Sequence, residues 1–251
     1  MEVNKNKSNI EKELERRDFI LNANPYRVIF SIALPLVFYS SLSQIFQFID
    51  TLIAANMSSS VISTVSFISQ IHSMLTALTS GLALGGGIII SRSFGSGDMR
   101  AVREKISTLF FLVLFIGGAI LALVVPFAEP FLRFMRMPED LLKDGVPYFI
   151  LEMIGLIFLF INTVYISIEK SRGNTKKIFL YNMCVLSIKT SMNIFFVKVL
   201  HGNMFMLPIS TICAQGFLTI IALINLTSKK NPFQISIKAC RFKKDFLFPL
   251  T

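Results

Sequence analysis

Residues 28–53 read VIFSIALPLVFYSSLSQIFQFIDTLI, a segment apolar almost throughout that nevertheless carries Ser40, Ser43, Gln44, Gln47, Asp50 and Thr51 at steps of three and four. At helical spacing these side chains share one face. The segment exceeds the ~20 residues that cross a hydrocarbon core. A carboxylate on its polar face must then point at water or protein, because lipid exposure carries a large penalty. Asp50 is the first candidate for an ion or substrate site. Its place late in the segment also suits a helix-end aspartate near the interface, where that penalty is small.

The rest of the chain has the same character. Over 251 residues, 53% are hydrophobic, only 16% are charged, and mean hydropathy is +0.64, more apolar than soluble domains. Continuous apolar runs long enough to span fall at about 28–53, 63–91, 106–127, 146–168, 177–199 and 204–226. They are long and unbroken, unlike the short alternating segments of a membrane β-barrel. The expected fold is an all-α polytopic membrane protein of six helices. Residues 1–27 form a charged tail, 28–228 the six-helix lobe and 229–251 a basic tail.

Basic residues set the expected orientation. The N-terminal tail, the 92–105 loop, the 170–177 loop and the tail from 229 hold all of the 25 Lys and Arg except Arg133, Arg136, Lys143, Lys189 and Lys198. Basic residues concentrate on the cytoplasmic side, so a multi-pass protein of the cytoplasmic membrane with both termini inside is expected. The net charge of +10 is mostly this bias, reinforced by attraction to anionic lipid. Scattered over loops, it does not suggest nucleic-acid binding. A charged tail ahead of a long first span does not suggest a cleaved signal peptide. Cys184, Cys213 and Cys240 lack disulfide or metal spacing, and His72 and His201 have no His, Cys or carboxylate at ligand spacing, so no metal or cofactor is expected.

The connections add detail. Gly95, Ser96, Gly97 and Asp98 precede the charged Arg100, Arg103, Glu104 and Lys105, a turn with Asp98 placed as an N-cap. The same string mimics intramembrane aspartyl proteases, but Asp98 lies outside an apolar span and has no second aspartate beside it. Nothing else suggests an enzyme. Arg172, Gly173, Asn174 and Thr175 form a second basic turn. Along the second span, Ser59, Ser63, Ser66, Gln70, Ser73, Thr76 and Ser80 form a polar row followed by Gly81, Gly85, Gly86 and Gly87. Such rows either pack helices closely or line a cavity.

In this order, Leu34-Pro35, Asp50, Gly97-Asp98 with Ala101, Arg172-Gly173-Asn174-Thr175 and Asn193, set on six spans, resemble the multidrug and toxin extrusion family over about residues 24–228. The resemblance implies an antiporter that couples inward sodium or proton flow to efflux of drugs or other organic compounds, often cationic. It implies a cation site at Asp50, Asn193 and Thr211, with Gln47 as a further ligand. Ser43, Gln44, Gln70 and Ser73 are the accompanying cavity-lining candidates.

That family has twelve helices in two related halves, whereas six spans are legible here. Phe246, Leu247, Phe248, Pro249 and Leu250, behind a basic stretch, resemble the approach to the first span and read as the start of a second repeat. The expected partners are membrane lipid, a small organic substrate and a second six-helix half or partner chain, with the half-length chain inactive alone. One family position that often holds a carboxylate is Val197, followed by Lys198, and Lys189 lies within the fifth span. A lysine there can stand in for a cation or pair with Asp50, or snorkel to the interface. Lys189 is also the feature favouring a lipid-linked precursor flippase of the same superfamily. The remaining alternative is a non-transporting membrane assembly partner.

Overall fold

The computed structural model describes residues 11, 14–15, 17–55, 58–198, 203–228, 231 and 234–235; the side chains at 47, 50, 53–55 and 197–198 lie outside this description, as do His201, Cys240 and the suggested second-repeat start. Among the described residues from Pro25 onward, seven helices follow in order: α1 (Pro25–Ala55), α2 (Ser59–Ser96), α3 (Met99–Val124), α4 (Ala128–Phe134), α5 (Glu139–Ser171), α6 (Thr175–Lys198) and α7 (Met206–Thr227). All but α4 carry a stretch long and apolar enough to cross a membrane. There are no strands among the described residues. The chain is an all-helical, multi-pass membrane protein. Several helices overrun the apolar runs, because the α-helix continues into polar sequence until a cap stops it.

Local chemistry sets those stops. Ser58 caps α2 by accepting from Val61 N at 3.2 Å. Gly97, at φ 81°, ends α2, and its N–H donates to Phe94 O, a left-handed position that costs glycine little. Asp98 then accepts from Ala101 N at 2.9 Å and starts α3. Pro35 sits inside α1, as neighbouring helices permit in membrane segments.

Helix α5 is the central post, in contact with α2, α3, α4, α6 and α7. Phe149, Met153, Leu156, Phe160, Val164 and Ile168 recur at three- and four-residue steps along it and are fully buried, one helical stripe facing the core. By contrast α1 packs on α6 and α2 while Tyr26, Ile29, Phe30 and Phe48 stay well exposed. In a bilayer, apolar exposure of this kind faces lipid or another lobe.

Close approach rather than hydrophobicity joins α2 to α5, as expected where lipid is as apolar as the core. Ser167 Oγ donates to Ala83 O at 2.6 Å and Ser171 Oγ to Gly87 O at 2.9 Å. A Cβ at Gly87 would lie 2.6 Å from Ser167 Oγ. Along the α2 polar row, Ser63 donates to Ser59 O, Ser73 to Ser69 O and Thr76 to Ser73 O. These hydroxyls satisfy themselves on their own helix.

A polar clamp joins α5 to α7. Asn162 Nδ2 donates to Gln215 O at 2.9 Å and Oε1 at 2.7 Å, and Thr219 Oγ1 donates to Asn162 Oδ1 at 3.1 Å. Bonds between membrane helices contribute ~0.6 to 2 kcal/mol each. Asn162→Leu should therefore lower stability by about 1 to 2 kcal/mol, read as an earlier thermal transition in detergent. An unchanged transition would show that the clamp contributes nothing.

At one end of the bundle, Arg172, 7% exposed, packs its Nη1 3.2 Å from Glu169, itself 2% exposed. Asn174 Nδ2 donates to Glu169 Oε2 at 2.5 Å, and Lys177 Nζ lies 3.7 Å from Oε1. The basic turn read in the sequence is thus organised around one buried carboxylate. Thr175 Oγ1 reaches Ser31 O at 3.5 Å, tying the turn to α1. Nearby chain also returns to this end: Arg17 Nε donates to Gly95 O and Arg103 Nε to Gln234 O, both at 2.9 Å. Residues 17 and 234 therefore meet the end of α2 and the start of α3, on either side of the turn. At the opposite end Arg133 lies between Glu129, at 3.0 Å, and Glu139. Its hydrogen bond to Glu129 and the charge of Glu139 hold the guanidinium above its ordinary value.

Candidate functional site

Five helices leave a cavity of about 300 Å³ between them, at the lower end for small-molecule sites. Thr51 reaches it from α1; Val65, Ser69, His72 and Ser73 from α2; Tyr148 and Glu152 from α5; Lys189 and Asn193 from α6; Leu207 and Thr211 from α7. These residues lie late in α1 and α6 and early in α2, α5 and α7. The cavity therefore occupies the part of the bundle away from the Glu169 network.

Its chemistry is unusual for a membrane interior. His72, Glu152 and Lys189 all border it, and ionisable side chains within spans are costly unless paired or hydrated. His72 Nδ1 lies 3.0 Å from Glu152 Oε2, with side-chain exposures of 24% and 15%. That is ion-pair distance, yet Nδ1 is buried without an aligned hydrogen bond. The contact is close but off the direction a ring N–H would take. On the α6–α7 side, Ser210 Oγ donates to Asn193 Oδ1, which orients an amide 1% exposed. Thr211 Oγ1 donates to Leu207 O at 3.2 Å.

Of the residues singled out from the sequence, Asn193, Thr211 and Ser73 meet at this cavity. Ser43, Gln44 and Gln70 are not among its lining residues; Gln44 and Gln70 are exposed. The backbones of Gln47 and Asp50 belong to α1 and Asp50 immediately precedes Thr51, but both side chains lie outside the described residues. Lys189 lines the cavity, whereas the side chain of Lys198 is outside the description. His72 needs correction: spacing along the chain offers it no carboxylate, and folding supplies one from α5. Glu152 was missed, although the signal was present, a lone carboxylate in the 146–168 apolar run, which is the rule that selected Asp50. Among the described residues, no group of three or more His, Cys, Asp and Glu is arranged to hold a metal ion.

Comparisons with known proteins point one way. The MatE family model matches residues 35–195. A Bacillus subtilis (strain 168) protein named probable multidrug resistance protein YpnP is 26% identical over 213 residues, covering 83% of this chain and 47% of that protein. A transporter of the MOP superfamily from Pyrococcus furiosus superposes with a TM-score of 0.83 at 16% identity, covering 91% of this chain and 51% of that one. A MATE structure in complex with MaD3S gives 0.85 at 16% identity, covering 92% and 52%. The fold is shared, and the chain spans about half the length of these relatives.

Proposed function

Because the chain belongs to the MatE family, we propose that it forms one six-helix lobe of a cation-coupled exporter of drugs or other small organic compounds, cationic ones among them. Asp50, Gln47, Asn193 and Thr211 form the proposed site for the coupling ion, sodium or proton. A second six-helix unit supplies the other wall of the transport path, and the lobe alone does not export. The orientation proposed has both termini in the cytoplasm, so that the cavity lies toward the outer face.

The observation that carries this reading is the charged, five-helix cavity in a chain whose mean hydropathy is +0.64. Opposite charges and hydroxyls gathered at one place in a membrane mark an ion or solute site. Two further facts support it: a protein named probable multidrug resistance protein is among the sequence relatives, and the basic turns lie at the end away from the cavity, as the positive-inside rule asks of an outward cavity.

Ethidium accumulation in energised cells tests the proposal. Cells expressing the full reading frame that contains this chain, through any second half, should accumulate several-fold less dye than vector controls. Asp50→Asn should return accumulation to the control level. Equal accumulation in wild type and Asp50→Asn, with both proteins present in the membrane, would overturn the reading.

A further inference from the structure

Ahead of α1 the chain is helical at residues 11, 14, 15 and 17–22. Asn24 separates this stretch from α1: its Oδ1 accepts from Tyr26 N at 3.0 Å, and α1 begins at Pro25, a cap followed by the proline that a first helical position tolerates. Two side chains fasten the stretch to the bundle. Arg17 Nε donates to Gly95 O at 2.9 Å, and its guanidinium lies 3.7 Å from where a Cβ on Gly97 would stand. Ile20 Cδ1 lies 2.7 Å from where a Cβ on Gly173 would stand. One face of the helix is therefore seated on both glycine turns, α2–α3 and α5–α6.

The remaining faces differ in character. Leu14 and Leu21, two helical turns apart, share a stripe beside Arg17 and are 37% and 54% exposed. Glu11, Glu15 and Asp18 recur at steps of four and three on a second face and are exposed. Phe19 is exposed as well, but it stands alone on the far flank, as single surface apolar residues commonly do.

Place decides what covers the leucines. Leu21 lies one turn ahead of Pro25, and the first turns of α1 expose Tyr26, Ile29 and Phe30 by 75%, 60% and 67%, so the apolar belt of the span begins beside the stripe. Fastened to both turns, the helix cannot carry its leucines away into water. A helix with an apolar stripe and a charged face at the end of a span suits the plane of the membrane interface. Glu11, Glu13, Glu15 and Asp18 against Lys12, Arg16 and Arg17 leave the segment without the positive charge that anionic headgroups attract.

We infer that the helical stretch ahead of α1 lies in the membrane interface beside the basic turns, with Leu14 and Leu21 among the lipid acyl chains and Glu11, Glu15 and Asp18 in water. Its partner is neutral phospholipid, met through apolar contact and not through charge. The inference rests on the chain being a membrane lobe and not on export, so a failed dye assay does not bear on it.

The chain contains no tryptophan, so one introduced at an exposed position is its only indole emitter. Leu14→Trp, Leu21→Trp and Glu15→Trp are each reconstituted as the whole chain in phosphatidylcholine liposomes. The two leucine variants should emit at shorter wavelength than Glu15→Trp. Phosphatidylcholine brominated on its acyl chains should quench them, more strongly with bromine near the glycerol than at the chain ends. Iodide present on both sides of the membrane should quench Glu15→Trp far more than either. Water-like emission with full iodide quenching at the leucine positions overturns the inference. Short-wavelength emission that brominated lipid leaves untouched overturns it too, because protein, such as a second six-helix unit, then covers the stripe. All three positions are exposed, so the core is unchanged, and either leucine variant alone decides between these outcomes.

Discussion

Glu169→Ala is expected to lower the apparent melting temperature of the purified chain in detergent by about 6 to 12 °C. The figure follows from about 3 kcal/mol for removing one member of a buried ion pair, spread over a chain of this size. Glu169 is 2% exposed and receives Arg172, Asn174 and Lys177 at once. Without the carboxylate, the guanidinium of Arg172, which is almost as deeply buried, keeps its desolvation cost and loses this counter-charge. Glu169→Gln keeps an acceptor for Asn174 and should lose less than Glu169→Ala. Equal melting of wild type and Glu169→Ala would mean that the turn is held by α5–α6 packing alone.

Gly87→Leu should be comparably damaging through a different mechanism. A Cβ there meets Ser167 Oγ at 2.6 Å, and that oxygen is engaged with Ala83 O at 2.6 Å, so it cannot swing away without breaking an interhelical bond. A leucine must separate α2 from α5, at a cost of about 3 kcal/mol. Gly87→Ala makes the mechanism separable: it should cost about 1 kcal/mol, much of which Ser167→Ala restores by removing the atom the new Cβ meets. Additive losses in that double-mutant cycle, measured by thermal unfolding, would show that the clash is not with Ser167.

These positions also show how far local sequence reaches. The six spans were legible from continuous apolar runs, because the bilayer imposes a length and forbids unpaired backbone. The cap at Asp98 was legible, because capping is settled within three residues. The polar row of α2 was legible as a row, but its role was not. Ser63, Ser73 and Thr76 bond to their own helix, and of these Ser73 also borders the cavity, together with Ser69, which is off that row.

The site divides in the same way. Asn193, Thr211 and Ser73 could be singled out by resemblance or by polarity within a span, and they meet at the cavity. His72 and Glu152 could not be joined in advance, since nothing local relates a residue of α2 to one of α5. Nor does Lys189 show from the sequence whether it points at lipid, solvent or the cavity. The sequence by itself determined that this is a six-span, helical membrane lobe with its basic residues biased to one side, because length, hydropathy and charge act on each segment separately. Only the tertiary structure decided that His72, Glu152 and Lys189 share one cavity, because an ionisable group inside a membrane takes its meaning from the partners that packing brings to it.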